Sequence, residues 1–168
     1  LSGFFRHSLS KGEDVITLSE EESHVRSYLR IQQARYKDIM EYTLDIDPQL
    51  GDAMIPKLTL QPLVENALYH GIKLKRAKGT IRITGTRQGG DVILRVEDNG
   101  VGMTKARLEE LRQGMRSKKP VGFGMSAVNQ RLQLQFGAEY GLTIESEEGT
   151  GTRVTARIPY VRKEALRP

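Results

Sequence analysis

The chain has 168 residues, of which 38% are hydrophobic and 28% charged, so it is long enough for one domain with a substantial core. It has no cysteine, which excludes disulfides and thiolate metal sites, and its three histidines form no HExxH motif. The net charge of +5 is interleaved with acidic residues, so it favours an anionic ligand over nucleic acid. No apolar run reaches the roughly 18 residues of a membrane span. The chain begins at Leu1 rather than Met, which suggests a piece of a longer protein.

The first forty residues predict a helical arm. Residues 1–16 have the pattern of the end of a helix followed by a break at Lys11-Gly12. Ser19 and Glu22 form a capping box, which predicts that a second helix runs from about residue 20 to residue 40. Its apolar stripe is modest, as is typical of a helix that packs beside a domain or forms a dimer.

A strand over residues 42–46 and a helix over residues 58–71 follow. The helix, LTLQPLVENALYHG, has apolar residues at helical spacing, and the polar residues Glu65, Asn66 and His70 are set among them. A carboxylate, an amide oxygen and an imidazole on one strip of helix could line a site. A helix with a polar outer edge would give the same pattern.

The second half of the chain alternates strands with short helices. The predicted strands are residues 80–86, 91–97, 142–146 and 152–158, and the predicted helices are residues 104–113 and 125–136. Glycine-rich turns join the strands into hairpins. This order predicts an α/β fold, a two-layer sandwich with helices on one face of a mixed, mostly antiparallel sheet. The basic stretch 114–121 has the composition of a mobile loop.

A first glycine motif, Asp98-Asn99-Gly100-Val101-Gly102, follows a predicted strand. Asn-Gly is also a hairpin signal, but a helix comes next, so a hairpin is the weaker interpretation. Gly100 and Gly102 let the backbone bend closely around a ligand. Asp98 is a fixed acceptor, suited to a donor such as the exocyclic amine of adenine.

Two further glycine motifs occur later in the chain. Gly122 to Ala127 matches G-x-G-x-x-A, but no strand precedes it and no βαβ unit surrounds it, so a dinucleotide fold is not indicated. A glycine-rich start to a helix remains a phosphate site, to which Lys118 and Lys119 would add charge. In the last motif, 149–152, a turn explains the glycines, and Thr152 could face the core or a ligand.

Four stretches in this order resemble the ATP-binding domain of sensor histidine kinases: VENALYHG (64–71), EDNGVGM (97–103), VGFGMSAVNQRL (121–132) and GTGTRVTARIP (149–159). The stretches SEEESHVRSYLRIQQARY (19–36) and LTLQPLVENA (58–67) narrow the resemblance to the LytS-type family. The resemblance covers nearly the whole chain. It implies the Bergerat ATP-binding fold of the GHKL class.

The resemblance also implies roles for individual residues. Asn66 would hold Mg²⁺ bound to the phosphates of ATP, and His70 would line the phosphate side. Asp98 would take the adenine amine, and Thr152 would complete the adenine pocket. The glycines would act through the backbone: Gly100 and Gly102 beside the nucleotide, and Gly122 and Gly124 as the hinge of a lid over about residues 103–121.

The chain departs from the family pattern at one phosphate position. The family usually has Lys where Tyr69 stands, so Lys73, Lys118 or Lys119 would have to substitute. Glu65, beside Asn66, is a candidate electrostatic or base partner of the phosphoacceptor histidine.

The implied function is a two-component sensor histidine kinase that transfers the γ-phosphoryl group of ATP to a histidine on an upstream segment absent from this chain. Residues 1–40 would be the end of a dimerisation and phosphotransfer region, residues 41–161 the ATP-binding catalytic domain and residues 162–168 a tail. His7 is interpreted as an ordinary helix residue. The implied partners are a response regulator receiver domain and a second copy of the protein. The domain would be cytoplasmic, in a protein anchored in the bacterial inner membrane.

Two other functions fit parts of the sequence. A GHKL ATPase or ATP-driven clamp would need a water-activating Glu one turn before Asn66, where this chain has Pro62. A basic nucleic-acid-binding module is the second alternative, and it would bind DNA in a salt-sensitive way without ATP.

Overall fold

The computed structural model of the chain describes residues 14–117 and 124–163. Within these residues the helices are α1 (Leu18–Arg35), α2 (Leu60–Asn66), α3 (Lys105–Arg116) and α4 (Gly124–Phe136). The strands are β1 (Val15–Thr17), β2 (Met40–Ile46), β3 (Met54–Pro56), β4 (Gly79–Gln88), β5 (Asp91–Asp98), β6 (Gly141–Glu147) and β7 (Gly151–Pro159). A π-helical turn, Ala67–Ile72, continues α2, and a short 3-10 helix spans Pro48–Leu50.

A five-stranded sheet in the order β2-β4-β5-β7-β6 forms one layer. The β2–β4 pair is parallel and the other pairs are antiparallel. Along β4, Ile81 and Ile83 are buried while Arg82 is exposed, so one face of the sheet packs against the helices. The core joins these strands to Leu63 of α2 and Leu132 of α4. The two-layer sandwich predicted from the sequence is confirmed.

The hairpins and the later helices also follow the prediction. The β4–β5 and β6–β7 pairs are the two predicted hairpins. Thr104 caps α3, because its hydroxyl accepts a hydrogen bond from the backbone N–H of Arg107 at 3.1 Å. However, α3 continues to Arg116, three residues into the stretch predicted as loop. Residues 118–121 of that stretch lie outside the described residues.

The prediction was wrong at the start of the described chain. Residues 15–17, after the predicted break, form a strand that was not predicted, β1, which pairs with β3 in a separate two-stranded sheet. The capping box uses Thr17 and Glu20 rather than Ser19 and Glu22: the N–H of Glu20 donates to the Thr17 hydroxyl at 3.2 Å. The helix begins at Leu18, which is fully buried.

The first helix also ends earlier than predicted. α1 stops at Arg35, because Met40 already belongs to β2 and pairs with Gly79. Val25 and Leu29 of α1 are fully buried in the same core as the sheet. The helix therefore packs against the domain in this chain, and the predicted boundary at residue 40 stays a prediction.

A buried carboxylate joins α1 to α2. The side chain of Glu21 has no exposed surface, and it accepts hydrogen bonds from the backbone N–H groups of Leu58 (3.3 Å), Thr59 (2.7 Å) and Leu60 (2.8 Å). The first N–H groups of a helix have no intrahelical partner, and a negative charge there is also favoured by the helix dipole. Glu21 thus caps the helix that carries Asn66.

Replacing Glu21 by Gln is expected to lower the free energy of unfolding by about 2 kcal/mol, because hydrogen bonds to a charged acceptor are stronger than those to an amide. Urea denaturation measures the change. The matched control is Glu22→Gln on the same helix, where the side chain is only partly buried and the change should stay within about 0.5 kcal/mol. Equal effects of the two substitutions would contradict the capping role.

Candidate functional site

A cavity of about 580 Å³ lies between the end of β5, α2 with its π turn, and the first residues of α3 and α4. Six of the residues predicted to bind a nucleotide line it: Asn66, His70, Asp98, Gly102, Gly124 and Thr152. These residues come from four separate stretches of the chain. The fold therefore brings most of the predicted site together in one place.

Asp98 is the last residue of β5 and lies opposite Thr152 of β7. Its carboxylate accepts a hydrogen bond from the backbone N–H of Gly100 at 2.9 Å. Burial raises the pKa of Asp98 to about 6, although hydrogen bonds from the backbone of Gly100 and Thr152 and the charge of Lys75 act in the opposite direction. At neutral pH the carboxyl group is therefore mainly ionised and acts as an acceptor.

Ser146 of β6 positions this end of the site, and the sequence analysis missed it. Its hydroxyl lies 2.8 Å from the hydroxyl of Thr152, accepts a hydrogen bond from the N–H of Met103 at 2.9 Å and donates one to the carbonyl of Gly151 at 2.9 Å. It thus ties β6, β7 and the loop before α3 together. Ser146 ends one predicted strand and Thr152 begins the next, and the hairpin pairs them with each other, so the strand ends could have indicated it.

Close backbone contacts require glycine around Asp98. A Cβ atom at Gly71 would lie 2.5 Å from Asp98 Oδ1, and one at Gly100 would overlap the backbone of Gly71. Gly102 has a φ of +68°, and a Cβ there would overlap the carbonyl of Glu147. Gly71 is a second residue that the sequence analysis missed, although it closes the motif VENALYHG.

One side of the α2 helix and its π turn faces the cavity. Asn66, His70 and Leu74 line it at intervals of four residues. The side-chain amide of Asn66 has no hydrogen-bond partner within the part of the chain that the structure describes, so its oxygen is available to a ligand. Leu74 is 61% exposed at the rim, where it offers an apolar surface.

The residues one position earlier face α1 instead. Glu65 accepts a hydrogen bond from Gln61 at 3.1 Å, and Lys73 donates one to the hydroxyl of Tyr36 at 3.3 Å. Neither Glu65 nor Lys73 lines the cavity. The strip that the sequence suggested is therefore two adjacent stripes, about 100° apart around the helix.

The opposite end of the cavity is formed by the starts of two helices. Arg107 of α3 and Gly124 and Ser126 of α4 line it. Arg107 is the third residue that the sequence analysis missed, although Thr104, Arg107 and Leu111 share one helix face by their spacing. Three predicted site residues lie outside the described residues, so their roles and the lid remain predictions: Lys118, Lys119 and Gly122.

A larger cavity of about 1080 Å³ lies between α3, α4 and β6, and it shares only Ser126 with the first. Its polar side chains are engaged with the edge of the sheet. Asn129 accepts a hydrogen bond from the N–H of Leu142 at 2.8 Å, and Arg112 donates one to the carbonyl of Ile144 at 2.5 Å. The smaller cavity therefore remains the better candidate for a ligand site.

No group of three or more histidine, aspartate or glutamate side chains that could hold a metal occurs in residues 14–117 and 124–163. Mg²⁺ commonly binds through one or two protein oxygens together with substrate phosphates and water. A single amide oxygen from Asn66 fits a metal of that kind, brought in by a phosphate ligand. Among the described helices, none is long and apolar enough to cross a membrane.

Substituting Gly71 by Ala is expected to destabilise the protein by about 1–3 kcal/mol, because the new methyl group overlaps the Asp98 carboxylate. Chemical denaturation measures the loss. Gly90→Ala is the matched control, since nothing lies within 4 Å of a Cβ at that position. A Gly71→Ala protein as stable as the Gly90→Ala protein would show that the π turn does not press against Asp98.

The chain is similar to known protein families. Residues 51–162 match the family model described as histidine kinase-, DNA gyrase B- and HSP90-like ATPase, and residues 1–40 match the model described as histidine kinase. Over 159 residues the chain is 40% identical to the sensor histidine kinase YesM of Bacillus subtilis, covering 95% of this chain and 26% of that protein. It is 37% identical to the sensor protein LytS of Bacillus anthracis over 161 residues, covering 95% of this chain and 27% of that protein.

The chain thus spans about a quarter of the length of these curated relatives. Among solved structures, it is similar to the catalytic domain of the histidine kinase ThkA, with a TM-score of 0.63 at 15% identity over 89% of this chain and 97% of that one. ThkA in complex with the response regulator protein TrrA gives a TM-score of 0.59 at 18% identity, covering 88% of this chain and 41% of that one. These similarities establish the fold.

Proposed function

The chain belongs to the family of histidine kinase-, DNA gyrase B- and HSP90-like ATPases, and we propose that it is the ATP-binding catalytic domain of a LytS-like sensor histidine kinase. The observation that carries the proposal is the convergence of Asp98, Thr152, Asn66 and His70 on one cavity. A hydrogen-bond acceptor suited to a nucleobase lies at one end of the cavity, and groups suited to phosphates lie at the other end.

The adenine end consists of Asp98 and Thr152. The Asp98 carboxylate is held in place by the backbone N–H of Gly100 and accepts the exocyclic amine of adenine. Thr152 is held by Ser146 beside it. Positions 71, 100 and 102 have no room for a side chain. Glycine at these positions therefore allows a planar base to approach the backbone closely.

The phosphate end consists of Asn66, His70, Arg107 and the first residues of α4. Asn66 offers its amide oxygen to Mg²⁺, and the N–H groups at the start of α4 point toward anionic oxygens. Arg107 is the one Lys or Arg among the described residues that line the cavity, so it supplies positive charge there. Lys73 is engaged with Tyr36 outside the cavity.

The proposed reaction transfers the γ-phosphoryl group of ATP to a histidine on an upstream segment, and then to an aspartate of a response regulator. Mg²⁺-bound ATP supplies the phosphoryl group, and this domain contributes mainly position and charge. Glu65 faces α1 rather than the cavity. Its proposed role is therefore to contact the acceptor histidine and not the nucleotide. Dimerisation through the upstream helices and anchorage in the membrane stay predictions.

A histidine kinase fits the site better than an ATP hydrolase. Pro62 stands one turn before Asn66 and cannot activate water. The acidic residues that line the described cavity are Asp98 and Glu148, and Asp98 is committed to the base. A rapid steady-state ATPase activity of this chain would favour the ATPase alternative.

Calorimetric titration with a non-hydrolysable ATP analogue, with and without Mg²⁺, tests the proposal. The unaltered chain is expected to bind the analogue more tightly with Mg²⁺, and Asp98→Asn is expected to weaken binding at least about tenfold, because the amide presents one acceptor where the carboxylate presents two. The control is Asp45→Asn, at an exposed position of β2. Equal affinities of the Asp98→Asn and Asp45→Asn proteins would refute the adenine assignment.

The same titration tests the role of Arg107. Arg107→Gln is expected to lower the affinity for the ATP analogue several-fold but to leave the affinity for adenosine unchanged, because adenosine has no phosphate to attract the guanidinium. Arg95→Gln, at an exposed position of β5, is the control. Equal losses for adenosine and for the analogue would place Arg107 at the wrong end of the site.

A further inference from the structure

The helix stripe that faces α1 carries a cluster of aromatic and charged side chains. Tyr69 and Lys73 of this stripe lie near Tyr28 of α1 and Tyr36, the residue that directly follows α1. None of these four residues lines the nucleotide cavity. We call this cluster the tyrosine clasp.

Lys73 is the centre of the clasp. Its ammonium nitrogen lies 3.3 Å from the hydroxyl of Tyr36, 4.8 Å from the centre of the Tyr36 ring and 4.6 Å from the centre of the Tyr69 ring. A cation held between two aromatic rings is attracted to both faces. Lys73 therefore ties the π turn to the end of α1.

Tyr28 closes the clasp on its buried side. Burial, and then the neighbouring Tyr69 and Glu65, raise the pKa of the Tyr28 hydroxyl well above its ordinary value. The hydroxyl thus stays protonated and can donate a hydrogen bond. The hydrogen bond from Lys73 lowers the pKa of Tyr36, so Tyr36 is the acceptor of the cluster.

The clasp lies on the exposed side of the π turn, whose other side is held by the fully buried side chains of Leu68 and Ile72. π-Helical turns are rare, occur mostly as single turns within α-helices, and are frequent at functional sites. Within this turn Tyr69 directly precedes His70, and Glu65 directly precedes Asn66. Rotation of the turn that moves Tyr69 away from α1 would also move His70 relative to the cavity.

We propose that Tyr36, Tyr69 and Lys73 are positioning residues for the Mg²⁺–triphosphate end of the site: they fix the rotation of the π turn against α1 and so orient Asn66 and His70 toward the phosphates. This inference rests on the proposed function and deepens it. It also accounts for the departure at Tyr69, because a side chain that faces α1 is not a phosphate ligand. Displacement of α1 would then be transmitted directly to Asn66.

The test compares two ligands on the complete 168-residue chain. Calorimetry measures the affinity for adenosine, and the Mg²⁺-dependent gain in affinity for a non-hydrolysable ATP analogue. Tyr69→Ala is expected to reduce the Mg²⁺-dependent gain about fivefold to tenfold and to leave the affinity for adenosine within about twofold, because the base end does not depend on the clasp. Tyr36→Phe keeps the ring but removes the hydroxyl that accepts the hydrogen bond from Lys73, and it is expected to lose about threefold of the same gain.

Controls separate positioning from general stability. Tyr160→Phe removes a hydroxyl that donates a hydrogen bond to Asp52 at 2.6 Å, and because neither residue lines the cavity it should leave the Mg²⁺-dependent gain unchanged. Tyr69→Phe retains the ring above Lys73 and should restore most of the gain lost in Tyr69→Ala.

Three results would overturn the inference. A lower melting temperature of the Tyr69→Ala and Tyr36→Phe proteins with no change in the Mg²⁺-dependent gain would make the clasp merely structural. Equal losses for adenosine and for the analogue would show that the clasp does not act on the phosphate end. Absence of any Mg²⁺-dependent gain in the unaltered chain would overturn the proposed function and the clasp with it.

Discussion

The contact between the π turn and the end of β5 is the constraint on which the site depends. Gly71 lies against the Asp98 carboxylate, and Gly100 lies against the backbone of Gly71, so neither position has room for a side chain. This contact brings the helix that carries Asn66 next to the strand that carries Asp98. The buried carboxylate of Glu21 fixes the other end of the same helix. Asn66 and Asp98 therefore line one cavity because the helix is held at both ends.

Much of this arrangement could be predicted from the sequence. Alternating strands joined by glycine turns indicated the sheet, and the order of the glycine motifs indicated the nucleotide-binding family, both of which are confirmed. Asp98 was recognisable because it ends a strand directly before two glycines. Asn66 and His70 were recognisable because polar residues interrupt an apolar helix at a spacing of four.

Other features depend on packing that no local pattern reveals. Thr17–Glu20 and Ser19–Glu22 are equally good capping boxes, and only the burial of Leu18 selects the first. Glu21 is one of three consecutive glutamates, and nothing in the sequence marks it as the buried one. Adjacent residues lie about 100° apart around a helix, and only the packing shows that the one predicted strip is two stripes with different partners. Ser146 and Arg107 needed the fold to bring them to the site.

The central claim is that Asp98 selects an adenine base by accepting its exocyclic amine. Titration of the unaltered chain with ADP and with inosine diphosphate tests this most directly, because the two ligands carry the same phosphates and differ at the 6-position of the base. The account predicts that ADP binds at least about tenfold more tightly, since the carboxylate would face a carbonyl oxygen in inosine diphosphate. Equal affinities for the two nucleotides would contradict it.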